Sequence, residues 1–348
     1  MRVLLDFERL RNLNSGLGQF CLHLGKALVA EAHESNIDFT VYRPASLLKV
    51  FGNEVNYLNS SSLYKLIRPN LKTEILHCAH QDSYLLPRKF GQKMVLTIHD
   101  LNFLNKDYSN EKIGHLIKKL QTKVDRADAL VFISNFSLQE ATKYLTFDPS
   151  ISHVIYNGLP QRSVPSLTKP DYIKNEEFIF SIGIISPKKN FKVLIPLLLE
   201  NPALHLIVAG VKEGRYAREI EEYAKELNVL ERLIMPGPVS DSDKSWLYKN
   251  CRAFMFPSIA EGFGLPVIEA MSFGKPVFLS THTSLPEIGG VEAYYFDSFE
   301  PQSMTHIFAQ GMKDFSQDLE KKNRLKRYAE TYSWTKAAKQ YIDLYKSI

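Results

Sequence analysis

Residues 253–271 read Ala253-Phe254-Met255-Phe256, then Pro257-Ser258-Ile259-Ala260-Glu261-Gly262-Phe263-Gly264, then Leu265-Pro266-Val267-Ile268-Glu269-Ala270-Met271. The four apolar residues read as a buried strand, the glycine-containing middle as a turn and the last seven as a helix. Pro266 suits the first turn of that helix, where a missing N–H costs nothing. The N–H groups and positive dipole end of a helix start favour an anion, and Gly262 and Gly264 let a ligand approach bare backbone. The segment therefore reads as a sugar- or phosphate-binding turn. Glu261 precedes it and Glu269 lies one helical turn inside, so the two carboxylates reach different parts of one elongated ligand. A plainer reading is that both merely cap and solvate the helix start.

Working outward, the same alternation of short apolar runs and helix-length amphipathic segments fills the chain. Strand-like runs fall at 3–6, 39–42, 75–78, 95–98, 130–133 and 154–156, and again at 178–182, 204–209, 233–235, 253–256, 277–280 and 294–296. Between them lie helices such as 17–30, where Leu17, Phe20, Cys21, Leu24 and Leu28 share one face, and 216–227 with an acidic outer face. Such alternation predicts parallel sheets covered on both sides, and two series predict two doubly wound α/β domains. Residues 160–175 hold three prolines and no amphipathic period, which places a linker there. The expected division is a first domain at 1–162, a linker at 163–175 and a second domain at 176–333. A last amphipathic helix is expected at 334–345 after the cap-like Ser333.

The chain's 348 residues suffice for two cores, and 45% apolar with 23% charged residues excludes disorder. No window approaches ~18 consecutive apolar residues and the N-terminus meets Asp6 early, so neither a spanning helix nor a signal peptide is expected, and the expected compartment is the cytosol. Cys21, Cys78 and Cys251 lack metal-ligand spacing and read as reduced core thiols. Residues 1–165 carry 20 Lys/Arg against 15 Asp/Glu, the remainder 23 against 23. Much of that excess lies in the helical stretch 115–126, where Lys118, Lys119, Lys123 and Arg126 suit an anionic membrane surface or, more plainly, a solvated helix face. Nucleic-acid binding is not expected, for want of a dense basic tract or a recognisable module.

In open parallel sheets ligands bind beyond the carboxyl ends of the strands, so other turns matter too. After 178–182 come Gly183-Ile184-Ile185-Ser186-Pro187-Lys188-Lys189-Asn190, whose adjacent lysines suit a diphosphate. Asn14-Ser15-Gly16-Leu17-Gly18 opens the first long helix, but it is not GxGxxG and no acidic residue stands at the offset a dinucleotide fold needs. His99-Asp100 ends the 95–98 run, His99 being a ligand contact or a structural hydrogen-bonder. Asp241-Ser242-Asp243 looks like a metal-binding DxD triplet, yet it directly precedes a helical run and reads as a helix cap. No metal site is expected.

Taken together, these turns resemble the family 4 retaining glycosyltransferases of the GT-B fold over nearly the whole chain. The match rests on Glu261 through Glu269 as an E-x7-E signature, followed by Gly274-Lys275-Pro276-Val277. Supporting it are Ile182-Gly183 through Lys189-Asn190, Ser134-Asn135-Phe136-Ser137, Tyr156-Asn157-Gly158, Phe256-Pro257-Ser258, Ser284-Leu285-Pro286-Glu287 and Tyr332-Ser333-Trp334. The resemblance implies two Rossmann-like domains facing each other across a cleft, with the C-terminal helix at 334–348 crossing back to the first. It implies a nucleotide-diphosphate sugar as donor substrate, no cofactor and no metal, and a glycan or lipid-linked glycan as acceptor.

By the same resemblance, Glu269 would bond the ribose, Glu261 with the backbone of Gly262, Phe263, Gly264 and Leu265 would hold the transferred sugar, and Lys188 and Lys189 would clamp the diphosphate beside Gly183. Gly16 and Gly18 would close over the phosphates, and His99 would sit beside the sugar near the reacting carbon. Where many members carry Arg after the glycine matching Gly183, this chain has Ile184. Pro187-Lys188-Lys189-Asn190 and Thr97-Ile98-His99-Asp100-Leu101 are similar instead to a mannosyltransferase-like subgroup. That similarity favours GDP-mannose, with UDP-sugar donors, a related phosphorylase or epimerase, or an idle sugar-nucleotide-binding partner as alternatives.

Overall fold

The computed structural model describes residues 1–61, 64, 72–87, 91–105, 108–160, 167–174 and 177–348. The expected boundaries at 162/163 and 175/176, and linker residues 163–166 and 175, lie outside the described residues. The chain divides into two compact units, Met1–Gly158 with Ser333–Ile348, and Leu159–Tyr332.

The first unit is built on a parallel sheet of β1 (Arg2–Asp6), β2 (Asp38–Arg43), β3 (Asn56–Asn59), β4 (Ile75–Cys78), β5 (Lys93–Ile98), β6 (Ala129–Phe132) and β7 (Ser152–Val154), in the order β3-β2-β1-β4-β5-β6-β7. Its central strands are buried on both faces, so they read as apolar runs, unbroken in β6 and interrupted in β4 only by His77. Around it lie α1 (Gly16–Ser35), α2 (Asn110–Val124) and α3 (Asn135–Tyr144). Each begins at a serine whose hydroxyl accepts a backbone N–H two or three residues into the helix: Ser15 from Gly18, Ser109 from Lys112 and Ser134 from Ser137. Caps of this kind contribute about 1 kcal/mol each. Helix α1 runs past the expected residue 30 and stops where Asn36 turns left-handed, φ 55°.

The C-terminal helix Trp334–Ser347 belongs to this unit. Its apolar face, Ala337, Ala338, Tyr341, Ile342 and Tyr345, is buried, and Trp334 lies edge-on to Phe20 of α1 at 5.7 Å. A polar chain joins the same helix to β4 and β5 of the sheet. The Tyr345 hydroxyl is 2.7 Å from Nδ1 of His77, His77 Nε2 is 2.8 Å from Thr97 Oγ1, and Thr97 is 3.1 Å from the Tyr341 hydroxyl. Both nitrogens of the buried ring are thus partnered, which removes the desolvation penalty an orphaned polar group would carry.

The second unit repeats the design with β8 (Phe178–Ile182), β9 (His205–Ala209), β10 (Leu233–Gly237), β11 (Ala253–Phe256), β12 (Val277–Ser280) and β13 (Tyr294–Phe296), all parallel, in the order β10-β9-β8-β11-β12-β13. Its helices are α4 (Tyr216–Glu226), α5 (Asp241–Asn250), α6 (Leu265–Ser272), α7 (Leu285–Gly289), α8 (Pro301–Gln317) and α9 (Lys321–Glu330). The run after the paired lysines, Phe191–Leu198, is 3-10 rather than α, with Pro196 inside it, where an α-helix would lose a hydrogen bond.

Three sequence expectations need correction. Strand β7 lies two residues before the expected 154–156, and β3 was not expected at all, because a half-exposed edge strand reading Asn-Tyr-Leu-Asn carries no β-branched run. The cap of α5 is Ser240, which accepts the Asp243 N–H at 3.0 Å, so Asp241 and Asp243 lie within the first helical turn.

Candidate active site

In the second unit the strand order reverses between β8 and β11, which are hydrogen-bonded neighbours. A crevice outside the carboxyl ends of such a pair is the usual ligand site of an open α/β sheet. The two turns singled out from the sequence leave these two strands. They are tied together: the Ile259 N–H donates to the Lys188 carbonyl at 2.9 Å, and the Lys189 ammonium pairs with Glu261 Oε1. That ammonium also lies 4.8 Å above the Phe256 ring, so it has an ionic and a cation–π partner in a largely desolvated place. Lys188 is exposed.

The turn itself is held from the segment after β12. Glu261 N–H donates to Thr283 Oγ1 at 3.1 Å, and Ser284 Oγ lies within donating distance of the carbonyls of Glu261, 3.1 Å, and Phe263, 2.9 Å. Gly264 has φ +110°, a conformation side chains resist, and it directly precedes α6, with Pro266 in the first turn as expected. Gly262, Phe263 and Gly264 are buried and Leu265 is half-buried. Gly183, at the end of β8, has φ +153° and its N–H donates to the Ala209 carbonyl at 3.0 Å.

Glu269 lies on the second turn of α6 and is only 6% exposed. Its Oε2 accepts the Tyr248 hydroxyl at 2.8 Å and its Oε1 is 3.6 Å from the Lys244 ammonium. Tyr248, Lys244, Thr283 and Ser284 were not singled out from the sequence as site residues. The DxD-like triplet contributes Asp241, 3.3 Å from Lys244. Among the described residues no group of three His, Cys, Asp or Glu side chains could hold a metal ion.

In the first unit, Gly16 is exposed with open space where a Cβ would stand, whereas a Cβ at Gly18 would collide with the Asn12 carbonyl. The glycine at 18 is therefore already required by the packing of its own loop. His99 directly follows β5 and is buried: Nε2 donates to the Ala79 carbonyl at 2.8 Å, its backbone N–H donates to Gln81 Oε1 at 3.1 Å, and Phe20 lies edge-on at 4.5 Å. Burial drives its pKa down to about 4, so the ring is neutral near pH 7. Asp6, at the end of β1, accepts the Ser83 hydroxyl, and burial raises its pKa to about 6.

The basic stretch divides. Lys118, Lys119 and Arg126 are exposed, but Lys123 is buried, its ammonium donating to the carbonyls of Gln81 at 2.5 Å and Ser83 at 2.8 Å. It cannot face a membrane. The three cysteine thiols are buried and form no disulfide. Among the described residues no helix is long and apolar enough to cross a membrane.

Two family models cover the chain in succession: Glycosyltransferase Family 4 at residues 14–161 and Glycosyl transferases group 1 at residues 168–332. The chain belongs to this two-part family of glycosyltransferases and is an enzyme of that class. It is 25% identical to the O-antigen chain mannosyltransferase B of Escherichia coli, over 99% of this chain and 100% of that one. It is 30% identical to a serotype-specific mannosyltransferase WbdA of Escherichia coli over 76% of this chain, a span that takes in 35% of that longer protein. Among solved structures, Anabaena Alr3699/HepE with UDP-glucose superimposes with a TM-score of 0.77 at 18% identity over 100% of both chains. The Thermosynechococcus elongatus sucrose-phosphate synthase gives 0.79 at 15% identity, over 100% of this chain and 98% of that one. Both likenesses show the fold, which is the GT-B fold that the sequence resemblance implied.

Proposed function

We propose that the enzyme transfers a hexosyl group, with retention, from a nucleotide-diphosphate sugar to a glycan or lipid-linked glycan. The observation that carries this is the junction of the β8 and β11 turns at the point of strand reversal, where Lys189 pairs with the Glu261 carboxylate, the exposed Lys188 is tied through its carbonyl to Ile259, and α6 begins at Leu265. Lys188 and Lys189 neutralise the diphosphate as it leaves, and the positive end of α6 adds to that field. Glu261 and the 262–265 backbone bind the transferred sugar, and Glu269 bonds the ribose. Lys189 is shared between a carboxylate and the arriving phosphates, so its charge is held in place before the donor binds. The acceptor hydroxyl attacks on the face the diphosphate leaves, through an oxocarbenium-like transition state, and the leaving phosphate receives its proton.

His99 is proposed to act in its neutral form, as a rigid wall and dipole near the sugar. Gly16 and Gly18 are proposed to approach the phosphates. The reaction needs no metal, since the cations of 188 and 189 supply the charge. Contact with an anionic membrane surface is proposed through Lys118, Lys119 and Arg126 alone, each worth about 1 kcal/mol near such a surface. Loss of cosedimentation with anionic vesicles on reversing these three charges tests it, and unchanged sedimentation contradicts it.

Two donors have specific support. One structural neighbour over the full chain, Anabaena Alr3699/HepE, has been solved with UDP and with UDP-glucose, which favours a uridine donor over GDP-mannose. Relatives named mannosyltransferases favour mannose as the sugar, and only the segments at 187–190 and 97–101 speak for GDP. Thermal unfolding against UDP-glucose, UDP-galactose, the UDP-N-acetylhexosamines and GDP-mannose decides between them, because a ligand bound only by the folded state raises the midpoint. A dose-dependent rise with one donor is expected, and no response to any donor contradicts the proposal.

A further inference from the structure

Glu269 is a carboxylate taken almost wholly out of water, and a buried charge must be paired and hydrogen-bonded to be tolerated. Two of its partners, Tyr248 and Lys244, come from α5, from residues four apart and so on one helix face. Tyr248 is fully buried, with its ring edge-on to Phe180 at 5.1 Å, stacked on Phe273 at 5.7 Å and tilted against Phe254 at 5.4 Å. Three aromatic neighbours fix that ring, so the hydroxyl that donates to Glu269 Oε2 has one place to be. Lys244, its side chain 16% exposed, stands 3.6 Å from Oε1 and is also drawn toward Asp241 in the first turn of its own helix. Ser240 fixes where that turn begins.

We infer that Tyr248 and Lys244 are positioning residues for the donor: they hold the Glu269 carboxylate in the single orientation that meets the ribose hydroxyls of the nucleotide. This rests on the proposed role of Glu269 as the ribose contact. Neither residue touches the reacting atoms. Tyr248 sets the rotamer of the carboxylate through one oxygen, and Lys244 compensates its charge from the side of the other. A site left slightly loose loses much of a hydrogen bond's directionality, so pre-orientation from behind affects affinity without any contact to ligand.

The test uses the whole protein and calorimetry with UDP and GDP, each against its 2′,3′-dideoxy form, taking the nucleotide that binds wild type more tightly. Wild type is expected to prefer the ribose form by roughly tenfold or more, the scale of a hydrogen bond to a charged group. Glu269→Gln should shrink that preference. Tyr248→Phe, which deletes only the hydroxyl, should shrink it as well, with little change in affinity for the dideoxy form. A merely structural Tyr248 would weaken both ligands equally, and that result overturns the inference. Lys244→Met should reduce the preference and Lys244→Arg should restore it; if Tyr248→Phe does not fold, this pair decides, and a Met variant with full preference overturns the inference. If wild type shows no preference, or Glu269→Gln retains it, the role of Glu269 itself fails. If Glu269→Gln loses the preference while Tyr248→Phe and Lys244→Met keep it, only the positioning is wrong.

Discussion

The ammonium of Lys189 and the carboxylate of Glu261, seventy-two residues apart, form an ion pair in which each side chain is 12% exposed. The pair joins the group assigned to the diphosphate with the group assigned to the sugar. Removing one member leaves the other desolvated without its counter-charge, at a cost of about 3 kcal/mol.

Lys189→Met is therefore expected to lower both stability and turnover. Adding Glu261→Gln to it should recover most of the thermal midpoint and none of the activity. Thermal unfolding beside steady-state kinetics reads both, and a double variant no more stable than the single one contradicts the pairing.

The two glycines at the start of α1 should behave differently. Gly18→Ala must displace the Asn12 backbone and is expected to lower the unfolding midpoint. At Gly16 the space is open, so Gly16→Ala should keep the midpoint and lower activity through the phosphates it obstructs. Full activity in a stable Gly16→Ala variant would remove that residue from the site.

Stability of the first unit is expected to fall on acidification from about pH 6.5 toward pH 4. Burial lowers His77 to about 3, His99 to about 4 and His80 well below its usual value. Each binds a proton in the unfolded chain near pH 6.5 but not in the folded one, so each contributes stability that is lost as pH falls, up to about 1.4 kcal/mol per pH unit. Asp6, raised to about 6, acts in the opposite sense, its folded form binding the extra proton between about 4 and 6. Glu140, raised by burial, joins Asp6, while His153, lowered by burial, and the hydrogen-bonded carboxyls of Glu74 and Asp148, both lowered, act with the three histidines, and the larger set decides the sign. With Trp246→Phe, Trp334 becomes the lone tryptophan and reports the first unit by fluorescence. A midpoint that rises from pH 7 to pH 5 contradicts the balance.

Activity should survive exhaustive chelation, since Lys188 and Lys189 supply the charge a metal would otherwise bring. Complete loss with EDTA, restored by magnesium or manganese, is the contrary result.

The strands at 75–78, 178–182, 253–256 and 277–280 were legible residue for residue, because strands buried in a parallel sheet are predominantly apolar runs, and the edge strand at 294–296 because it is wholly aromatic. The edge strands β3, β7 and β10 blurred where polar residues, or the Pro236-Gly237 end of β10, break that run. In the site, Glu261, Gly264, Glu269 and the lysine pair were visible because each sits in a short segment with its own local signature. Tyr248 and Lys244 were not. They arrive from another helix, and in sequence they look like ordinary amphipathic positions. Lys123 misled for a related reason: a charge run says nothing of the two carbonyls that turn one of its members inward.

The central claim is that the two signature carboxylates serve opposite ends of one donor, Glu269 the ribose and Glu261 the sugar. Calorimetry with the bare nucleoside diphosphate, set beside kinetics with the full donor, tests it most directly. Glu269→Ala should bind the bare nucleotide more weakly. Glu261→Ala should bind it nearly as wild type while losing roughly 2–4 kcal/mol of transition-state stabilisation. A folded Glu261→Ala that no longer binds the nucleotide, beside a Glu269→Ala that binds it normally, would contradict the assignment of both ends.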